Sequence, residues 1–373
     1  MNIGFDAKRA FCNARGLGNY SRDVIRILSH LASENEYYLF TPKGNCVAPF
    51  DYSAANCIVV EPQNSLQKKF SSLWRTFGQS SLIDPLHLNI FHGLSNELPV
   101  GINKTTARTV LTMHDLIFLK LPHLYSWIDR RLYTKKYLHS CSIADKIIAI
   151  SEQTKDDLIN IAGIDERKIE VVYQGCNPMF LRKAGEDELS QIKQKYHLPA
   201  QYLLNVGAIE ARKNQALIIQ SLMLGKLDIP LVIVGQPTEH IHKLKTLICN
   251  AGIESKVIFL HQVSTIDLPA IYQGADIFVF PSMYEGFGIP ILEALTSGVP
   301  VVAAKNSSLI EVGGRAAAYI ESNNAEELAG VIDSILTDKD KRTRMIDAGL
   351  RHAATFSDTN ICNNLMNVYA SVW

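Results

Sequence analysis

DIFVFPSMYEGFGIPILEALTSGVPVVAA, residues 276–304, reads as strand, loop, helix and strand. The apolar, β-rich run before Pro281 has the composition of a buried strand, and VPVVAA has the same character. Between them Pro290 stands where a first helical residue would lie, its missing N–H doing no harm there. A helix N-terminus therefore falls beside Gly286, Phe287 and Gly288, where unpaired amides and the helix dipole favour an anion such as a phosphate. Glu285 precedes this helix and Glu293 is expected in its first turn, so both carboxylates can flank one pocket and accept hydrogen bonds from sugar hydroxyls. The plainer alternative has Glu293 complementing the dipole and Glu285 solvated in a loop.

Outward from that unit the same rhythm recurs. YLLNVGA, PLVIVGQ, KVIFLHQ and AAAYI complete a second series of strands with DIFVFPS and VPVVAA. NIGFDA, EYYLFT, NCIVVE, LNIFHG, RTVLTMHD, DKIIAIS and IEVVYQG form a first series. Helical periodicity between the runs predicts parallel sheets in two Rossmann-like halves. A polar linker and helix after Pro178 separate them, giving expected domains at 1–180 and 181–354. In the last segment Ile361, Leu365, Val368, Tyr369 and Val372 share one helical face that needs something to pack on, so residues 355–373 are expected to join the first domain.

A chain of 373 residues fits two cores better than one. With 47% hydrophobic and 20% charged residues and a formal net charge of +0, it reads as globular, with nothing global pointing to nucleic acid. Seven scattered cysteines without a C-x-x-C pair argue against a disulfide framework or a structural zinc site. The opening MNIGFDAKRAF lacks a basic region followed by a long apolar run, and no window approaches a spanning helix, so a cytoplasmic protein is expected.

Three further stretches bear chemistry. In LLNVGAIEARKNQALIIQSL a strand ends at Gly207 and a short loop carries Arg212 and Lys213, a place where open parallel sheets bind ligands and where a diphosphate would fit. In RGLGNYSRDVIRIL, Gly16 and Gly18 are expected in a loop before a helix; without a third glycine they make a poor dinucleotide fingerprint. In TMHDL, His114 follows an apolar strand, at an end where ligands bind or where a structural histidine is simply satisfied. Asp338–Asp340 and the His240–His242 pair read as helix-terminal features rather than metal ligands.

VGAIEARKN, DLPAIYQGADIFVFPS, EGFGIPILEA and SSLIEVGG, in that order, with GLGNY and TMHDL upstream, resemble the retaining glycosyltransferases of family 4 over nearly the whole chain. The resemblance implies the α/β GT-B architecture, with two Rossmann-like domains whose sheets face across a cleft and a C-terminal helix crossing back to the first. The N-terminal domain would bind the acceptor and the C-terminal domain the nucleotide-sugar donor. Glu285 would then bond donor-sugar hydroxyls, Glu293 the ribose, and the Gly286–Gly288 amides the sugar or phosphate. Arg212 and Lys213 would neutralise the diphosphate. His114 and the Gly16–Gly18 segment would close the site from the first domain. No metal and no cofactor beyond the substrate, GDP-mannose by the mannosyltransferase-like spelling, would be needed.

Two departures stand out. Ala208 occupies a position where relatives often have arginine, leaving Arg212 and Lys213 to serve the phosphates, and His261 stands where relatives often have glycine. A saccharide or lipid-linked acceptor in cell-envelope glycan synthesis fits a basic excess between Pro62 and Lys146, eleven Lys/Arg against five Asp/Glu. There SLQKKFSSLWRTF sets Leu66, Phe70, Leu73, Trp74 and Phe77 on one helical face beside Lys68, Lys69 and Arg75. That helix either lies on an anionic membrane, at its inner face, or packs on the core with solvated lysines. A periplasmic-type sugar-binding protein, a glycosidase using Glu285 and Glu293, a transferase using a UDP-sugar and a silent nucleotide-sugar binder are the alternatives weighed against this reading.

Overall fold

The computed structural model describes residues 1–43, 52, 54–70, 73–225, 227–306 and 308–373. The chain divides into two compact units, Met1–Gln174 with Asp358–Trp373, and Gly175–Ser357. The expected divisions were 180/181 and 354/355.

The first unit is built on a parallel sheet of seven strands: β1 (Asn2–Asp6), β2 (Glu36–Phe40), β3 (Cys57–Val60), β4 (Ile90–Gly93), β5 (Arg108–Met113), β6 (Lys146–Ala149) and β7 (Ile169–Val171). The second carries six: β8 (Leu203–Val206), β9 (Leu231–Val234), β10 (Val257–Leu260), β11 (Ile277–Phe280), β12 (Val301–Ala304) and β13 (Ala318–Ile320). Every strand run in the sequence is found. The spatial orders are β3-β2-β1-β4-β5-β6-β7 and β10-β9-β8-β11-β12-β13. In each, the first three strands grow in one direction and the rest in the other, so each sheet has a switch point, at β1/β4 and at β8/β11. Crevices at the carboxyl ends of strands beside such points are where open α/β sheets bind ligands. The central strands are apolar along their whole length because helices cover both faces: β9, β11 and β12 are buried throughout.

The last helix, Asp358–Val372, buries Ile361, Cys362, Leu365, Val368 and Tyr369 within the first unit. Tyr369 Oη lies 2.8 Å from His92 Nδ1, and His92 Nε2 lies 2.8 Å from Thr112 Oγ1. Arg26 on helix Gly16–Leu31 pairs with Asp358 at 2.6 Å. The apolar stripe read from the sequence thus finds its cover, and a buried polar network fixes its register.

Two local expectations change. Gly16 and Gly18 belong to the first turn of helix Gly16–Leu31, not to a loop before it; a Cβ on Gly18 would come within 1.8 Å of the Asn13 carbonyl oxygen, so close backbone packing explains that glycine. The amphipathic stripe expected over 65–77 is broken. Ser65–Lys69 is a short helix, and Trp74–Gly78 a wide π-type turn that buries Trp74 while Phe70, Leu73 and Phe77 stay exposed. Arg75 is no surface charge, since Asp6 and Glu97 draw it inward at 2.6 and 2.9 Å. Ser71, Ser72 and the Leu66 side chain, like Cys46, lie outside the described residues.

Candidate functional site

The β8/β11 switch point gathers the residues singled out in the second half of the sequence. Gly207 directly follows β8, and the chain then enters a short 3₁₀ turn, Ala211–Lys213. Asn214 leads into helix Gln215–Leu224 and donates from Nδ2 to the carbonyls of Pro281 and Ser322. The loop after β11 is tied to that turn: Met283 N and Ser282 Oγ both donate to the Arg212 carbonyl. These bonds bring Glu285 onto both cations. Lys213 Nζ lies 2.5 Å from Glu285 Oε1, and Arg212 reaches Glu285 Oε2 at 2.8 Å. Ser282 Oγ donates to Glu285 Oε1 at 2.6 Å. Arg212 also bonds Glu210 at 2.7 Å and the Tyr284 carbonyl. Lys213 Nζ sits 5.0 Å from the Phe280 ring centroid, a cation–π contact.

Glu285 is buried, which by itself would raise its pKa, but Lys213, Arg212 and the Ser282 hydroxyl outweigh burial and hold it below its ordinary value. The carboxylate is ionised at neutral pH, and with Glu210 on Arg212 the cluster pairs two cations with two carboxylates.

Gly288, with φ +127°, precedes helix Ile289–Thr296, in a backbone region that a side chain would strain. Ser308 Oγ donates to the Glu285 and Phe287 carbonyls, holding the Glu285–Gly288 loop against the helix Leu309–Gly313. Pro290 is the second helical residue and Glu293 the fifth, so Glu293 stands beyond the first turn expected for it. It is half-buried and accepts from Tyr272 Oη at 2.7 Å. Tyr272 was missed by the sequence reading because its helix, Leu268–Gln273, reads as ordinary core; nothing local marks a hydroxyl aimed at a carboxylate 21 residues away, on the next helix.

The first-half residues lie in the other unit. His114 is buried, with Nε2 2.9 Å from the Leu94 carbonyl oxygen and its ring edge-on to Tyr20 at 4.6 Å. Burial lowers its pKa to about 4, against the Leu94 carbonyl, so the imidazole is neutral near pH 7. Asp338 caps helix Lys339–Ala353 and His240 opens helix His240–Ala251, as their sequence settings suggest. Among the described residues no group of three metal-ligating side chains is gathered.

Comparison with known proteins follows the same division. Residues 16–180 match the family described as Glycosyltransferase Family 4, and residues 187–352 match Glycosyl transferases group 1. The chain is 32% identical over 286 residues to the O-antigen chain mannosyltransferase B of Escherichia coli, covering 75% of this chain and 74% of that one. The chain belongs to glycosyltransferase family 4. A serotype-specific mannosyltransferase WbdA of Escherichia coli is 29% identical over 285 residues, 73% of this chain but 35% of that much longer one. Among solved structures, Anabaena Alr3699/HepE in complex with UDP and glucose superimposes with a TM-score of 0.77 at 20% identity, over all of both chains. The family 4 glycosyltransferase thus has the two-domain GT-B fold, and Arg212, Lys213, Glu285 and Glu293 fall within the segment matched to group 1 transferases.

Proposed function

We propose that this family 4 enzyme transfers mannose from GDP-mannose to a glycan or lipid-linked saccharide acceptor in cell-envelope polysaccharide synthesis, with retention of anomeric configuration and without a metal ion. The observation that carries the reading is the pair Arg212 and Lys213 held on one buried carboxylate, Glu285, at the carboxyl end of β8. Breaking a sugar–phosphate bond develops negative charge on the leaving diphosphate, and preoriented cations together with the amides at the start of helix Ile289–Thr296 stabilise it. A diphosphate competes with Glu285 for both cations, which frees that carboxylate for the hydroxyls of the donor sugar. Glu293, oriented by Tyr272, accepts from the ribose. In this reading the second unit binds the donor with Gly207 and Gly286–Gly288 near the phosphates, and the first unit supplies the acceptor side with His114, Gly16 and Gly18.

Mannose is favoured by the names of the similar mannosyltransferases. A UDP-sugar donor is the second reading, favoured by the UDP and glucose complex of the structural neighbour. A thermal-shift panel run in excess chelator separates them, because a ligand that binds only the folded state raises Tm by mass action. GDP is expected to give the largest shift. An equal or larger shift with UDP overturns the GDP assignment, and loss of every nucleotide shift in chelator overturns metal independence.

Contact with the inner face of an anionic membrane is part of the proposal, on a different helix from the one the sequence suggested. Trp127–Ile143 exposes Trp127, Ile128 and Leu132 on the side that carries Arg131 and Lys135, and Arg131 stacks 4.5 Å from the Trp127 ring. Exposed aromatic and aliphatic groups interleaved with cations suit an anionic interface. Flotation with phosphatidylglycerol vesicles should weaken when Trp127 and Ile128 are both replaced by serine; unchanged flotation sinks this contact.

A further inference from the structure

The β1/β4 switch point of the first unit holds a pocket of about 70 Å³, lined by Asp6, Arg75, Gln79, Glu97 and Lys136 with Leu98, Pro99 and Val100 as its apolar wall. Asp6 ends β1 and Glu97 follows β4, so the pocket lies where this topology places ligands. Arg75 spans the two carboxylates, 2.6 Å from Asp6 and 2.9 Å from Glu97, and Lys136 approaches Glu97 at 3.9 Å. Gln79 is fully buried, and neither its Oε1 nor its Nε2 has a hydrogen-bond partner among the described residues. A buried amide without partners lowers stability, so its presence beside a polar pocket points to a ligand that satisfies it.

We infer that this pocket is a hydroxyl-recognition subsite for a saccharide acceptor, with the Gln79 amide donating to one hydroxyl and accepting from its neighbour; the inference rests on the transferase reading above. The pocket offers both kinds of group: Arg75, Lys136 and Nε2 donate, while Asp6, Glu97 and Oε1 accept. That mixture suits vicinal hydroxyls, each of which gives and takes a bond. Two carboxylates disfavour an anion, and Arg75 occupies the carboxylate edges that a cation would need. The volume holds a few water-sized groups, so the pocket takes one edge of a sugar ring, whose C–H face meets Leu98 and Val100.

The test uses the full chain with excess GDP, methyl α-mannoside as the saccharide probe, saturation-transfer NMR for its affinity and thermal melting in parallel. Gln79→Leu is expected to weaken probe binding at least about tenfold while leaving the nucleotide shift unchanged, and to raise Tm or leave it unaltered, because an unpartnered amide gives way to an apolar group of similar size. Unchanged probe affinity in Gln79→Leu with a lowered Tm means the amide is a structural group and overturns the subsite. Wild-type protein that shows the nucleotide shift yet binds no probe also overturns it, and leaves the transferase reading standing. Probe binding that Gln79→Leu abolishes, in a protein with no nucleotide shift at all, upholds the pocket and sinks the donor site instead. Should Gln79→Leu fail to fold, Lys136→Met at the exposed rim is expected to weaken the probe similarly, and unchanged affinity there overturns the subsite.

Discussion

The two switch points arrange charge in mirror image. At β8/β11 two cations share one carboxylate, Arg212 and Lys213 on Glu285; at β1/β4 one cation spans two carboxylates, Arg75 between Asp6 and Glu97. Glu210 on Arg212 and Lys136 near Glu97 bring each group to zero formal charge, so the units differ in what stands at the centre, a carboxylate held by two cations or a cation held by two carboxylates. Paired cations beside a helix N-terminus suit a phosphate, whereas paired carboxylates offer acceptors to hydroxyls. The surroundings differ as well. Beside β4 and β5 the first unit buries neutral histidines, His92 and His114, while the second buries a carboxylate that stays ionised.

The sharpest way to break this comparison is to remove the paired cations. If Arg212 and Lys213 stabilise charge that grows as the diphosphate leaves, truncation must lower kcat more than it raises KM. Lys213→Ala is expected to lose about 10²–10³ in kcat, the usual cost of one oxyanion-stabilising group. Arg212→Ala should lose a comparable amount, since Ala208 offers no substitute cation. Each single variant leaves Glu285 one ionic partner, so both should fold. Steady-state rates near wild type in both variants and in the double variant would place the diphosphate elsewhere.

A smaller effect separates the units by acid. Burial lowers His92 to about 3 and His114 to about 4, from an ordinary value near 6.5. Each folded-state value lies below the unfolded one, so as pH falls below about 6.5 the unfolded chain takes up protons that the folded unit refuses, and stability is lost down to about pH 4. Asp23 works the other way: burial raises it to about 6 despite Arg26, and its protonation below that value stabilises the fold. Two histidines against one aspartate leave a net loss on the order of a few kcal/mol. Glu285 in the second unit is held below its ordinary value, so its contribution is present above about 4.5 and is lost only as pH falls through its folded value. All three tryptophans, Trp74, Trp127 and Trp373, lie in the first unit, so their fluorescence follows that unit alone. Denaturant midpoints from tryptophan fluorescence should fall between pH 6.5 and 4.5. A flat profile over that interval would remove the acid asymmetry between the units.

The sequence by itself determined the sheets and the glycine–proline loop that carries Glu285. Apolar runs of four or five residues are strands whatever their partners, because a parallel strand covered on both faces must be apolar along its length. The loop after β11 was legible for a related reason. Gly288 is needed where φ is positive, and Pro290 is tolerated only at a helix start, so residue type reports backbone position directly. What the tertiary structure decided are the pairings between distant segments. Nothing near Arg75 in the chain says that Asp6 and Glu97 will take it from the surface, and nothing near Tyr272 says that it orients Glu293. The stripe over 65–77 failed for that reason: Arg75 pairs with buried Asp6 and partly buried Glu97, and the wide turn that follows it inward carries Trp74 with it. Gln79 gives the clearest case. An amide in a polar stretch reads as solvated, and only the packing around β1 and β4 leaves it buried with neither of its polar atoms partnered.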